Sequence, residues 1–159
     1  MTLLLTKVIS GGQTGIDELA LQLAKTYGIA TGGWMPPNFL TEEGAKPEFE
    51  SMYTMTALKS GLWAKRTRYN ARDADATVIF GDIQSSGTFS TINFLKKFKR
   101  PYCVNPTGTE LIDFLSSHQV KVLNAAGNKA SILSEKYYQL AYDSMSTAFA
   151  QVIQSKGNE

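Results

Sequence analysis

The sequence predicts an α/β fold with a mostly parallel sheet and helices on both faces. Three observations predict it. Short apolar segments alternate with amphipathic ones about five times, the pattern of consecutive βαβ units. Gly- and Pro-rich turns separate them at regular intervals. The 159 residues suit one domain with a full core, and no repeat, low-complexity tract or linker divides them. Residues 1–159 are therefore read as a single domain.

Each element has its own signal. Leu3 to Ser10 is short, apolar and β-branched near its end, a buried strand. Gly11 to Gly15 is a turn. Ile16, Leu19, Ala20, Leu23, Ala24 and Tyr27 then recur at helical spacing, and Gly28 stops that helix. Ala30 to Trp34 reads as a second strand. Met35 to Pro47 is a long loop, carrying Pro36, Pro37, Gly44 and Pro47, of a length that is usually functional or mobile. Met52 to Leu58 reads as a strand and Gly61 to Ala74 as a helix, with Leu62, Lys65, Arg66 and Tyr69 at mixed spacing. Ala76 to Phe80 (ATVIF) is a buried strand, followed by a turn and a helix with Ile92, Leu95 and Phe98. Pro101 to Val104 is a strand and Thr109 to Ser117 a short helix. Lys121 to Ala125 is a strand. A last helix is expected from about Ala130 to Val152, with a frayed end beyond Gln154.

Composition excludes several functions. Lys plus Arg number 16 and Asp plus Glu 14, so the net charge is +2. That balance argues against bulk binding of a long nucleic acid. One Cys forms no internal disulfide or dithiol pair, and one His with one Cys builds no zinc site of the His/Cys type. Cys103 sits in an expected strand as an inert thiol, and His118 follows a short helix as a surface residue. No apolar run approaches the ~20 residues that cross a bilayer, and MTLLLTKVIS lacks the basic region of a signal peptide. A cytoplasmic location and no membrane partner are expected.

In open parallel sheets, ligands bind beyond the C-terminal ends of strands, so the chemistry is sought in the turns there. Gly11, Gly12, Gln13, Thr14 and Gly15 lie between a strand and a helix. Glycines let backbone N–H groups approach an anion, and the helix start adds partial positive charge. Thr14 adds a hydroxyl, and Asp17 stands in the first helical turn. A plain tight turn is the competing reading. No Lys follows Gly15, so this is no Walker A loop. Ser10 stands in the first glycine position of the dinucleotide fingerprint, and TGGWMPP offers no ribose-binding acid. A conventional nicotinamide or flavin oxidoreductase is thereby disfavoured.

Two more turns share this chemistry. Ser86, Gly87 and Thr88 precede a helix after ATVIF; a simple helix cap is the alternative. In VLNAAGNKAS, Asn124 ends a strand, Gly127 turns, and Lys129 and Ser131 follow. Three such turns point to a ligand with several phosphates, or one phosphate and other polar groups. The segment 66–75 adds Arg66, Arg68, Asn70, Arg72, Asp73 and Asp75. Arg binds phosphate bidentately, although a surface helix explains much of this spacing. Asp73 and Asp75 can hold Mg²⁺ with phosphate oxygens. Glu43, Glu48 and Glu50 read as solvated loop acids.

The ordered motifs ISGGQTGID, TGGWMP, RTxxNxRDxDAT, SGTxxT and VLNAAGNKAS resemble the putative molybdenum carrier family. This is a circularly permuted, YpsA-like branch of the SLOG superfamily, related to molybdenum cofactor carrier proteins and lysine-decarboxylase-like phosphoribohydrolases. The resemblance spans about residues 8 to 140. It implies a Rossmann-like three-layer sandwich, a phosphorylated nucleotide-like or pterin ligand, and a homodimer or homotetramer. It would place Gly11, Gly12, Thr14, Gly15, Gly87, Thr88, Gly127 and Lys129 around that ligand, and Arg66, Asn70, Arg72 and Asp73 match the family's polar motif; with Gln13, Asp17, Gly32, Gly33, Ser86, Asn124 and Ser131 from the same turns and motifs, these are the candidate ligand residues. The cofactor is left unidentified, with molybdenum cofactor, a nucleotide or Mg²⁺ as candidates, and no metal ligand is assigned. Ser86 stands where a second glycine is expected, and Asn128 and Lys129 where Pro and Arg are common. The hydrolase branch carries a glutamate that GTFSTINF lacks. The expected function is binding or carriage of the ligand; hydrolysis of a nucleotide N-glycosidic bond is the alternative.

Overall fold

Six parallel strands form the centre of the protein, in the order β5-β2-β1-β8-β6-β7. A computed structural model describes residues 2–61 and 63–157; Leu62, placed by sequence on a helix, lies outside them. The elements run β1 (Lys7–Ile9), α1 (Ile16–Thr26), β2 (Ala30–Met35), β3 (Leu40–Thr41), β4 (Gly44–Ala45), α2 (Phe49–Tyr53), β5 (Met55–Ala57), α3 (Trp63–Asp73), β6 (Ala76–Phe80), α4 (Ser86–Phe98), β7 (Tyr102–Val104), α5 (Gly108–Ser117), β8 (Val122–Gly127) and α6 (Glu135–Gly157).

Strand alternation divides the core into two faces. Val8, Val78, Phe80, Leu123 and Ala125 are buried on one face against α1, α5 and α6. Ile79 points the other way and packs with Ala71 of α3 and Leu95 of α4. Both layers of helix are needed because β6 is buried at every position, Ala76 to Phe80, and apolar at all but Thr77. The resulting three-layer, Rossmann-like sandwich matches the expected fold class. Local signals set the helix ends. Thr107 and Glu110 form a reciprocal capping box at α5. Lys99, in a left-handed conformation, ends α4.

Several boundaries differ from expectation, each for a visible reason. Residues 52–58 do not form one strand: Thr54, at φ 57°, ends α2 and turns the chain into β5. The loop 35–47 contains a two-stranded hairpin, β3 with β4. The last helix starts at Glu135, because residues 129–134 turn on themselves through bonds from the Ile132 and Leu133 N–H groups to the Lys129 carbonyl. It continues to Gly157, held by buried Val152 and Ser155. β1 pairs over three residues only, although Leu3 and Leu5 before it are buried.

The position of β8 governs the site. The last strand of the chain returns to the middle of the sheet, between β1 and β6. The three strands that precede the polar turns are thereby adjacent. The helices after β1 and β8 lie on one face and the helix after β6 on the other. The helices diverge between β8 and β6, the switch point at which open α/β sheets hold ligands.

Candidate functional site

The first turn closes around a buried ion pair. Asp17 projects from the first turn of α1 back under the glycines and is 4% exposed. Its Oδ2 accepts the Gln13 N–H at 3.2 Å and Nη1 of Arg66 at 3.2 Å. The Ser10 hydroxyl donates to the Asp17 carbonyl and accepts the Gly12 N–H. The guanidinium of Arg66 lies so close to the backbone that a Cβ on Gly11 would sit 1.9 Å from Nη1. Glycine at this position is therefore a spatial requirement of Arg66. Burial outweighs the Arg66 charge and pushes the Asp17 carboxyl up to about 6. Burial likewise lowers the affinity of Arg66 for its proton.

Beside this pair is a cavity of ≈ 20 Å³, lined by Gly11, Asp17, Arg66, Thr91 and Asn124 among others. That is about the room one water needs. Among the described residues, the Nε of Arg66 and the Oδ1 of Asn124 are buried without a hydrogen-bond partner. One is a donor and the other an acceptor, and both belong to this cavity. The Asn124 amide donates to Thr77 Oγ1 at 3.2 Å, which fixes its orientation. Trp63, 38% exposed at the start of α3, packs its ring on the Arg66 guanidinium.

The second and third turns are joined by a residue that sequence reasoning did not choose. Asn128 is buried. Its Oδ1 accepts the Asp82 N–H at 2.6 Å, and its Nδ2 donates to the Asp82 carbonyl and the hydroxyls of Ser85 and Thr88. Its own carbonyl accepts the Ile16 N–H, which opens α1. A Cβ on Gly15, at φ 85°, would sit 2.4 Å from that carbonyl. One asparagine thus ties all three turns, the second through its side-chain amide and the first through its backbone carbonyl. Its sequence signal was its place one residue after a strand-ending glycine.

A second carboxylate meets the glycine turn from outside. Glu42, at the tip of the β3–β4 hairpin, accepts the Thr14 hydroxyl and the Ser131 N–H on the same Oε2. Its own N–H donates to the Gln13 side chain, which also accepts the Thr14 N–H. Hydrogen bonds from Ser131 and Thr14, aided by the Lys129 charge, hold this carboxyl below its ordinary range. Glu42 was missed because an acid in a polar loop looks like any solvated acid.

The remaining expected residues separate into groups. Asn70 uses its amide on strand β2, accepting the Trp34 N–H and donating to the Trp34 carbonyl. Gly32 and Gly33 lie in β2 beside β1. Ser86, Gly87 and Thr88 form the first turn of α4, with Thr88 buried and the other two exposed. Gly127 ends β8 against the Phe80 carbonyl. Arg72 and Asp73 are not brought to the turns. They pair at 2.6 Å at the far end of α3, where Asp73 accepts the Trp34 indole N–H and Arg72 lies over the Tyr69 ring. Asp75 accepts the N–H groups of Lys121 and Val122, so Asp73 and Asp75 serve different partners. His118 caps α5 against Phe114. Burial pushes the Cys103 thiol up to about 12. A larger open groove of ≈ 300 Å³ runs along α1 from Gly15, but Glu18 and Glu135 line it, which disfavours an anion there.

Fold and turns together define a Rossmann-like protein with polar turns at the C-terminal ends of three adjacent parallel strands. The chain belongs to the circularly permutated YpsA SLOG family, whose model matches residues 8–149. It is similar to a solved protein of Syntrophus aciditrophicus SB described as a "putative molybdenum carrier protein". Identity is 30% over 96% of this chain and 97% of that one, with a TM-score of 0.79. Among curated proteins, none matches the chain.

Proposed function

We propose that the protein binds or carries a small phosphate-bearing ligand, nucleotide-like or of molybdopterin type, at the C-terminal ends of β1, β8 and β6. The observation that carries this reading is the adjacency of the three polar turns, with Arg66 Nε and Asn124 Oδ1 buried and unpartnered in the one-water cavity beside the first of them. Such groups cost stability unless something pairs with them. The family match and the description of the Syntrophus protein agree with a carrier role.

The donor set favours an organic, phosphate-bearing partner. Hydroxyls, amides and Arg66 suit phosphate and heterocycle atoms. Among the described residues, no three His, Cys, Asp or Glu side chains gather to hold a metal. Molybdenum would then travel within its own cofactor, bound through that cofactor's organic part. The hydrolase alternative has less to stand on, because the first turn of α4 carries no acid. Among the described residues, no helix is long and apolar enough to cross a membrane. We read the protein as a cytoplasmic homodimer or homotetramer, and sedimentation of the purified chain as a monomer would refute the assembly.

The test is direct. Mass spectrometry with metal analysis of the natively purified protein should find a phosphorylated small molecule. Thermal-shift screening against nucleoside mono- and diphosphates and pterin phosphates should find stabilisation. No bound molecule and no stabilisation by any of them would end this reading.

A further inference from the structure

We propose that Thr14, Ser131 and Lys129 form an oxyanion subsite in which the side chain of Glu42 is the resident anion, so that the β3–β4 hairpin is a latch a ligand phosphate displaces. This rests on the phosphate-ligand reading above and adds to it the place of the phosphate and the group that competes for it.

The subsite is built from two elements distant in sequence. Thr14, 2% exposed, offers its hydroxyl; that oxygen also accepts the Ala130 N–H at 3.0 Å, which fixes its direction. Its proton is thereby left for the anion. The Ser131 N–H reaches the same carboxylate oxygen at 3.2 Å. The Ser131 side chain and the Lys129 charge both favour the ionised form of Glu42. A hydroxyl and a backbone N–H converge on one oxygen, and the Lys129 charge acts on it from farther off; these are the donor types of a phosphate site. A carboxylate already sits on it.

The hairpin is a small, self-contained unit. Its ladder is two pairs long, Leu40 with Ala45 and Thr41 with Gly44. Thr41 keeps the tip in shape, donating to the Gly44 carbonyl and accepting the Glu43 N–H. Asn38 and Phe39, at its base, both have positive φ. Glu42 and Glu43 are exposed, and the tip is joined to the glycine turn through Glu42 itself, by its carboxylate and by its N–H to Gln13. A tethered anion acts at high effective concentration and lowers apparent ligand affinity by the fraction of time it occupies the site.

The experiment titrates the full chain with inorganic phosphate, following backbone amides by NMR. In Glu42→Ala, phosphate should bind roughly tenfold more tightly than in the parent, with the Ser131 amide among those most shifted. Amide hydrogen exchange across residues 40–45 should also be faster in Glu42→Ala than in the parent. Adding Thr14→Val, or Lys129→Ala should the first misfold, should remove most of the affinity gain. Equal affinity in parent and Glu42→Ala, or an unshifted Ser131 amide at saturation, overturns the latch. If phosphate then shifts Gly11, Arg66 and Thr88 in both proteins, the latch fails and the phosphate-ligand reading stands. If neither protein binds phosphate and no nucleotide or pterin phosphate stabilises either, both fail.

Discussion

Two carboxylates grip the same glycine turn from opposite sides, and their surroundings push them in opposite directions. Asp17 lies under the turn, buried beside Arg66, and burial raises its carboxyl to about 6. Glu42 lies over the turn in solvent, and donated hydrogen bonds lower its carboxyl. The first contact is part of the fold and expensive to disturb. The second is a set of hydrogen bonds on an exposed carboxylate, modest in net strength and open to competition. Stability thus rests on one side of the loop, and the proposed latch on the other.

The comparison can be broken most severely at Arg66. Arg66→Ala should leave Asp17 buried and unpaired, costing about 3–5 kcal/mol in denaturant unfolding. Asp17→Leu combined with Arg66→Met should cost clearly less than the sum of the two single changes, because no charge is then buried alone. Additive losses would show that the pair does not act as a unit.

Asn128→Ala comes next. It removes bonds to the Asp82 N–H and carbonyl and to two hydroxyls. The Asp82 groups are left to other partners, and a loss of about 2 kcal/mol is expected, with faster hydrogen exchange in the β6–α4 turn. A loss below about 0.5 kcal/mol would mean that the three turns hold their places without it.

The pH dependence sharpens the Asp17 side. Folding raises this carboxyl's hold on its proton. Its stabilising contribution is therefore fully present below its ordinary value of 3.8 and is lost as pH rises through about 6. Between those values the parent should lose stability relative to Asp17→Asn. A constant difference between the two proteins across that window would contradict the raised value.

The smallest effects belong to the exposed pairs. Glu42→Gln should change stability by less than about 1 kcal/mol while loosening the hairpin, as read by hydrogen exchange. Arg72→Ala, at the far end of α3, should change stability by under about 0.5 kcal/mol and leave ligand stabilisation intact. Loss of ligand stabilisation in Arg72→Ala would instead draw the far end of α3 into the site.

Much of the fold was legible because its signals are local. ATVIF is apolar at every position but Thr77 and is buried on both faces. The helical spacing from Ile16 to Ala24 marks the buried face of α1. The polar turns were legible as turns too, since glycines and hydroxyl residues after an apolar run end the strand and start the next helix. The errors lie where local propensity lost to tertiary contact. Thr54 takes a left-handed turn that no β-branched residue advertises. Residues 129–134 stay out of the last helix while Thr14 and Glu42 take the N–H groups of Ala130 and Ser131.

The sequence by itself determined an alternating α/β chain with polar turns at strand ends, because periodicity and turn chemistry are written in neighbouring residues. Only the tertiary structure decided which turns meet. Strand order is set by pairing between segments more than a hundred residues apart, as β1 with β8. That pairing sets Asn128 between the turns and Thr14 beside Ser131. It leaves Arg72 and Asp73 at the other end of the sheet, although they lie within seven residues of Arg66 in the chain.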